Sequence, residues 1–178
     1  MSNEELVCAY RRILSGDARR RDHSQDPRLE RNKRLAARMF TDIVSDKNYA
    51  AADEIFAPDF YWPQFDLHGP EGVRTWAREF HAGWPDVRDI IEMQVAEGDM
   101  VVTLVTVYGT QTGPWLGLPP TGKFVAFPAV GIDRIVSGRI VERSSTYNFA
   151  EVMRGLGLYQ LPGAPGGSAR AESAAKVR

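Results

Sequence analysis

The strongest constraint in this chain is a change of period near Asp86. Upstream, apolar residues recur at helical spacing; downstream, β-branched residues dominate and the apolar period drops to that of strands. In the first part, Pro27 to Val44 carries Leu29, Leu35, Ala36, Met39, Phe40 and Ile43 on one stripe, and Tyr49 to Phe56 reads as a short helix. Pro58 to Phe65 reads as a strand, and Gly69-Pro70 opens a helix to about Gly83 that buries Val73, Trp76, Ala77, Phe80 and Trp84. In the second part, IIEMQVAEGDMVVTLVTVYGT reads as a hairpin turning at Glu97-Gly98-Asp99. Runs from Phe124 to Val136 and from Arg139 to Phe149 follow, joined at Ser137-Gly138, and AEVMRGLG forms a last short helix. Helices followed by an antiparallel meander place the chain in the α+β class.

With 178 residues and 43 % hydrophobic content the chain can build one sizeable core. The reading is a principal domain over 28–160, an accessory helix (EELVCAYRRILS) and linker over 1–27, and a Gly, Ala and Ser-rich flexible tail over 161–178. A net charge of -1 gives no electrostatic reason to expect nucleic acid or an anionic membrane as partner. Ten Lys and Arg against four Asp and Glu between Arg11 and Arg38 read as a solvated face. No apolar run approaches a membrane span and the N-terminus lacks a signal-peptide pattern, so a cytoplasmic location is expected. Cys8 stands alone, which rules out an intrachain disulfide, and no His, Asp or Glu spacing suggests a metal site. No cofactor is expected.

Gly117 to Lys123 spells G-x-x-x-x-G-K, the pattern of a phosphate-binding loop. The sequence argues against that use. Phe124 stands where a magnesium-binding hydroxyl belongs, Pro119 and Pro120 have no N–H to donate, and VAFPAVGIDRI reads as a strand where a helix N-terminus is needed.

Charges choose the register of the last hairpin. A two-residue loop at Ser137-Gly138 would set Asp133 opposite Glu142, a destabilising like-charge pair. A three-residue loop, Ser137 to Arg139, sets Asp133 against Arg143, Arg134 against Glu142 and Ile135 against Val141. Ala129, Gly131 and Asp133 then share a face with Arg143, Ser145 and Tyr147. Small and polar residues on one face suit a ligand cavity better than a helix-packed wall.

Several strings carry a family resemblance: AADEIFAPDF (51–60), GPEGVRTW (69–76), PDV (85–87), AEGDMVV (96–102), GTQTGPWLGLPPTGK (109–123) and RIVSGRIVE (134–142). Over residues 30–158 the chain resembles the SnoaL-like polyketide cyclases, in the superfamily that also holds ketosteroid isomerase and nuclear transport factor 2. The resemblance implies a cone-shaped barrel, a bent antiparallel sheet wrapped around helices with an apolar internal cavity, commonly dimeric through the sheet. Leu104, Val130 and Ile132 would form the apolar outer face of a homodimer. The proline-rich loop becomes a rigid lip joining two strands, with Trp115 and Leu116 at the mouth or in a dimer contact. The resemblance also implies a histidine and an aspartate for aldol chemistry, but their positions are Gly131 and Ser145 here. Gln111 replaces a histidine of the lip motif, Ser144 a tryptophan, and Asn148 a further aspartate.

Acid/base work in an apolar cavity needs a titratable group shifted by burial. By strand parity Asp133 is the best-placed carboxylate, with a structural ion pair to Arg143 as the competing reading. Tyr147 and Ser145 are candidate hydrogen-bond donors to a developing oxyanion. His81, next to Phe80, is a candidate base or a solvent-facing residue; His68 reads as a cap and His23 as linker. The expected lining is Trp62, Trp76, Phe80, Tyr108, Gln111, Trp115, Phe127, Gly131 and Asn148, which suits a large hydrophobic small molecule. The leading expectation is a cofactor-independent cyclase or isomerase acting on a polyketide-like or terpenoid-like substrate. The alternative is a noncatalytic member that binds a ligand or partner.

Overall fold

The computed structural model describes residues 26–159. The accessory helix and linker expected before residue 26, and the tail expected after 160, lie outside the described residues. Helix α1 (Pro27–Arg38) starts at Asp26, whose carboxylate accepts the Arg28 N–H at 2.8 Å, with Pro27 where its missing N–H costs nothing. The expected helix to Val44 changes type on the way: Met39–Ser45 winds as a π-helix. Met39, Phe40, Ile43 and Val44 are all buried, and the wider turn keeps the four on one side. A 3₁₀ turn (Tyr49–Ala51) and α2 (Ala52–Ile55) lead into β1 (Phe56–Trp62). That strand ends before Phe65 because Pro63, which has no N–H for a ladder, starts a 3₁₀ turn over Pro63–Phe65. Then follow β2 (Leu67–His68), α3 (Gly69–Gly83), β3 (Arg88–Glu97), β4 (Met100–Thr110), β5 (Phe124–Val136), β6 (Arg139–Tyr147) and α4 (Phe149–Gly155).

The six strands form one curved, unclosed sheet in the order β2-β1-β6-β5-β4-β3. Strands β3 to β6 make the expected antiparallel meander. The sheet as a whole is mixed, however, because β1 pairs with β6 in parallel. All of α3 and the meander separate those two strands in sequence, so no hairpin forces them antiparallel. On the concave side the helices bury Ile43, Val73, Ala77 and Trp84 against Phe60 and Val105, all at most 1 % exposed. Each such large apolar side chain contributes roughly 1.5–3 kcal/mol.

Two register shifts decide which side chains face that concavity. In the last hairpin the turn is the two-residue Ser137-Gly138, both with positive φ, and Val136 faces Arg139 and Ile135 faces Ile140. The expected three-residue loop and Ile135–Val141 pair are therefore absent. A bulge at Val141 restores the pairs Arg134–Glu142 and Asp133–Arg143, so the expected charge partners meet across a shorter turn than expected. In the first hairpin, Met93 faces Leu104 but Ile91 faces Val105, leaving Glu92 as the extra residue. Without it Asp89 would stand opposite Tyr108 on the outer face; with it Asp89 faces Val107 on the inner one.

The outer face is less bare than expected. Leu104 is buried between its cross-strand neighbours Met93 and Val130, and Val130 and Ile132 are half-buried. The exposed apolar residues of that face include Ile90, Val95 and Phe124, with Met100 and Val136 near the turns. Residues 111–123 join β4 to β5, and Lys123 leads directly into strand β5, with no helix to hold a phosphate.

Candidate active site

The concave face of the sheet, the π-helix, Phe65 and Leu67 after β1, α3 and the β4–β5 loop enclose a cavity of about 530 Å³. Its walls are aromatic. Trp62 lies 5.0 Å from Trp76, Trp76 stacks on Phe80 at 5.3 Å, and Phe127 sits 5.8 Å from Tyr147, as ring-centroid distances. The lining residues Glu79, Ala82, Pro114, Leu116 and Gly117 are exposed, which puts the mouth between the second half of α3 and the loop.

The lip is held by Gln111. Fully buried, it donates to the carbonyls of Gly113 and Pro119 at 3.2 and 3.0 Å and accepts from the Thr121 N–H and hydroxyl at 3.1 and 2.8 Å. The loop also docks on the end of α3, where Thr112 and Gly113 N–H groups reach the Gly83 carbonyl. Trp115 and Leu116 thereby line the mouth, as the lip reading requires.

The polar part of the cavity is made by Asp89, Arg143, Ser145 and Tyr147. Asp133 lies behind Arg143, 0 % exposed, and accepts from Arg143 Nη1 at 2.7 and 3.0 Å. Burial pushes the Asp133 carboxyl above its usual range, and the guanidinium opposes that push. The guanidinium carbon stands over the Phe40 ring at 4.8 Å and the Trp62 ring at 5.2 Å. Gly131 makes this possible: a Cβ there would stand 2.5 Å from Arg143 Nη2 and 2.9 Å from the Phe40 ring. Arg143 Nε is buried without a partner among the described residues. Burial raises the Tyr147 hydroxyl above its ordinary pKa of 10.0.

Asp89 was not legible as a site residue. It lines the cavity, its Oδ1 is buried without a hydrogen-bond partner among the described residues, and burial pushes its pKa up to about 7, with Arg143 opposing. By surface area the residue counts as only half-buried, because one side of it borders the cavity space. In sequence it is one charge among several in PDVRDII, and only the bulge at Glu92 turns it inward.

Of the expected site residues, Trp62, Trp76, Phe80, Trp115, Phe127, Gly131, Arg143, Ser145 and Tyr147 come together around the cavity. Asp133, the expected catalytic carboxylate, stands behind Arg143 as its ion-pair partner and does not line the cavity, and four others lie elsewhere, each for a physical reason. His81 is buried between the Val44 carbonyl, 2.8 Å from Nε2, and the Tyr49 hydroxyl, 3.0 Å from Nδ1, so it ties α3 to the π-helix. Tyr108 has outer-face parity and neighbours Phe124. Gln111 is spent on the lip, and Asn148 caps α4 by accepting the Glu151 N–H at 3.2 Å. Among the described residues no three His, Cys, Asp or Glu side chains group as a metal site.

The profile of the SnoaL-like polyketide cyclase family matches residues 34–156. Nogalonic acid methyl ester cyclase of Streptomyces nogalater is 27 % identical over 110 residues, which cover 59 % of this chain and 82 % of that protein. Among solved structures, a putative SnoaL-like polyketide cyclase from Jannaschia sp. CCS1 superposes with a TM-score of 0.69 at 24 % identity, covering 76 % of this chain and 98 % of that one. TsrD from Streptomyces laurentii gives 0.68 at 23 %, covering 73 % and 97 %. At these identities the two structures establish the shared fold.

Proposed function

The chain belongs to the SnoaL-like polyketide cyclase family, and from that membership we propose that it is a cofactor-independent enzyme performing acid/base cyclisation or isomerisation of a polyketide-like or terpenoid-like molecule. The observation that carries this reading is the cavity itself, aromatic on most sides and polar inside at Asp89, Arg143, Ser145 and Tyr147, with Glu79 exposed at its mouth. Such a site desolvates an apolar ring system and directs its oxygen functions to the few groups able to bind developing charge. The relative from S. nogalater is named as a ring-closing enzyme, which supports a cyclisation over other acid/base steps. The competing reading, a noncatalytic binder, draws on the residues at the family's histidine and aspartate positions, Gly131 and Ser145. It is disfavoured by a buried carboxyl and a buried guanidinium on one cavity wall, an expensive arrangement for mere binding of an apolar ligand.

The test is incubation with a panel of polyketide methyl esters and terpenoid ketones, followed by chromatography with mass detection. The expected product has unchanged mass and altered retention. If no compound is converted and none quenches the fluorescence of Trp62, Trp76 and Trp115, the reading fails. The proposal includes action in the cytoplasm as a homodimer joined at Ile90, Val95 and Phe124, which are 47, 53 and 63 % exposed. Light scattering that gives a monomer at micromolar concentration would contradict the dimer. Among the described residues no helix is long and apolar enough to cross a membrane.

A further inference from the structure

We propose that Asp89 is the proton-transfer residue of the cavity, with the fixed positive charge of Arg143 stabilising the anion formed when Asp89 removes a proton from carbon. This assignment rests on the acid/base reading above and names the group that performs it.

Three observations carry the assignment. The fold does not use the Asp89 carboxyl: the residue's contribution to local structure is its backbone N–H, which donates to Ser45 Oγ at 3.0 Å, while Oδ1 is buried and unpaired. The residue is nevertheless turned into the cavity by an extra residue in the strand, Glu92, rather than left on the outer face, where a carboxylate is easily solvated. And the cation that a buried carboxylate would take as partner is already committed, since Arg143 Nη1 binds both oxygens of Asp133. The other charged group on the cavity wall, Glu79, is exposed at the mouth. Asp89 is thus a carboxyl held in an apolar space with no structural role for its acid function. A pKa near 7 suits it to accept and return a proton at neutral pH.

The step balances without any co-reactant. The Asp89 carboxylate takes a proton from a carbon beside a ligand carbonyl, the C–H pair becomes the enolate double bond, and the carbonyl π pair moves to oxygen under the field of Arg143. The enolate carbon then either regains a proton from Asp89 at a conjugated position or bonds to a second carbonyl carbon. In the latter case the new alkoxide takes the proton, and the carboxylate is restored.

The probe is 2-tetralone, a two-ring apolar ketone, and the readout is exchange of its α-protons into D₂O followed by proton NMR. Tryptophan quenching measures its binding separately. The wild-type protein is expected to bind the ketone and accelerate exchange, and Asp89→Asn to bind it equally while losing about 100-fold or more of the acceleration, a typical contribution of one general base. Asp89→Glu should recover part of the rate. Asp89→Asn should also melt at a higher temperature than wild type at pH 8, an effect that a structural carboxyl does not give. Equal exchange by wild type and Asp89→Asn overturns the assignment while the cavity reading stands, and so does an Asp89→Asn chain that fails to fold. A wild-type protein that binds the ketone without exchanging it overturns the assignment and the acid/base reading together, and one that does not bind it removes the apolar cavity as the site.

Discussion

Two aspartates on the concave face of one sheet meet opposite fates. Asp133 is fully enclosed and doubly bonded to Arg143, while Asp89 borders the cavity with an unpaired oxygen. Their chemistry is the same, so the difference comes from what surrounds them. A carboxylate with a committed guanidinium is part of the frame; one without a partner keeps its acid function available for a ligand.

Removing the charge of Asp133 should have the largest effect on stability. Asp133→Asn leaves Arg143 buried without its counter-charge, and chemical denaturation should show a loss of about 3–5 kcal/mol. An Asp133→Leu, Arg143→Met double variant should recover much of that loss, because the pair then goes as a unit.

The corresponding change at Asp89 should act in the opposite direction. Its folded pKa is raised, from 3.8 to about 7, so the folded chain holds the proton more tightly than the unfolded chain. The stability this provides is complete below pH 4 and is lost as pH rises through 7. Asp89→Asn should remove that dependence and stabilise the protein at pH 8 by up to ~4 kcal/mol. A flat wild-type profile between pH 4 and 8 would erase the contrast between the two aspartates.

A smaller change sharpens the comparison from the side of Arg143. Gly131→Ala puts a methyl where Nη2 lies, and the guanidinium cannot yield without stretching its bonds to Asp133. We expect a loss of about 1–3 kcal/mol, the usual cost of overpacking. Tyr147→Phe should change stability least, by under about 0.5 kcal/mol, because the hydroxyl forms no hydrogen bond to the described residues. If that hydroxyl stabilises the anion, turnover of the identified substrate should fall about 10- to 1000-fold.

The same contrast separates what was legible in the sequence from what was not. The period change at Asp86 located α3 and the meander, and opposite charges identified Asp133 and Arg143 as partners. Asp133 could be placed because its partner lies on an adjacent strand, where cross-strand charge pairing leaves a trace in the sequence. Asp89 left no such trace. Its direction depends on Glu92 being skipped in the ladder, and nothing in IIEMQV distinguishes a regular strand from a bulged one. The bulge at Val141 was equally silent: by parity alone, a two-residue turn would have sent Arg143 to the outer face. Each bulge thus turns one charged side chain of the cavity inward. Parity counted from a turn fails at that point, which is where Asp89 was missed. Tyr108 and Asn148 were drawn into the expected site by residue type, and their positions are set by strand face and helix capping instead.

The most direct test of this account is a titration of the Asp89 side-chain carboxyl by carbon NMR, its resonance assigned by comparison with Asp89→Asn. The account predicts a midpoint near 7, displaced by binding of 2-tetralone. A midpoint near the ordinary 3.8, unmoved by the ketone, would mean that the carboxyl is solvated or paired, and would contradict its role as the proton-transfer group.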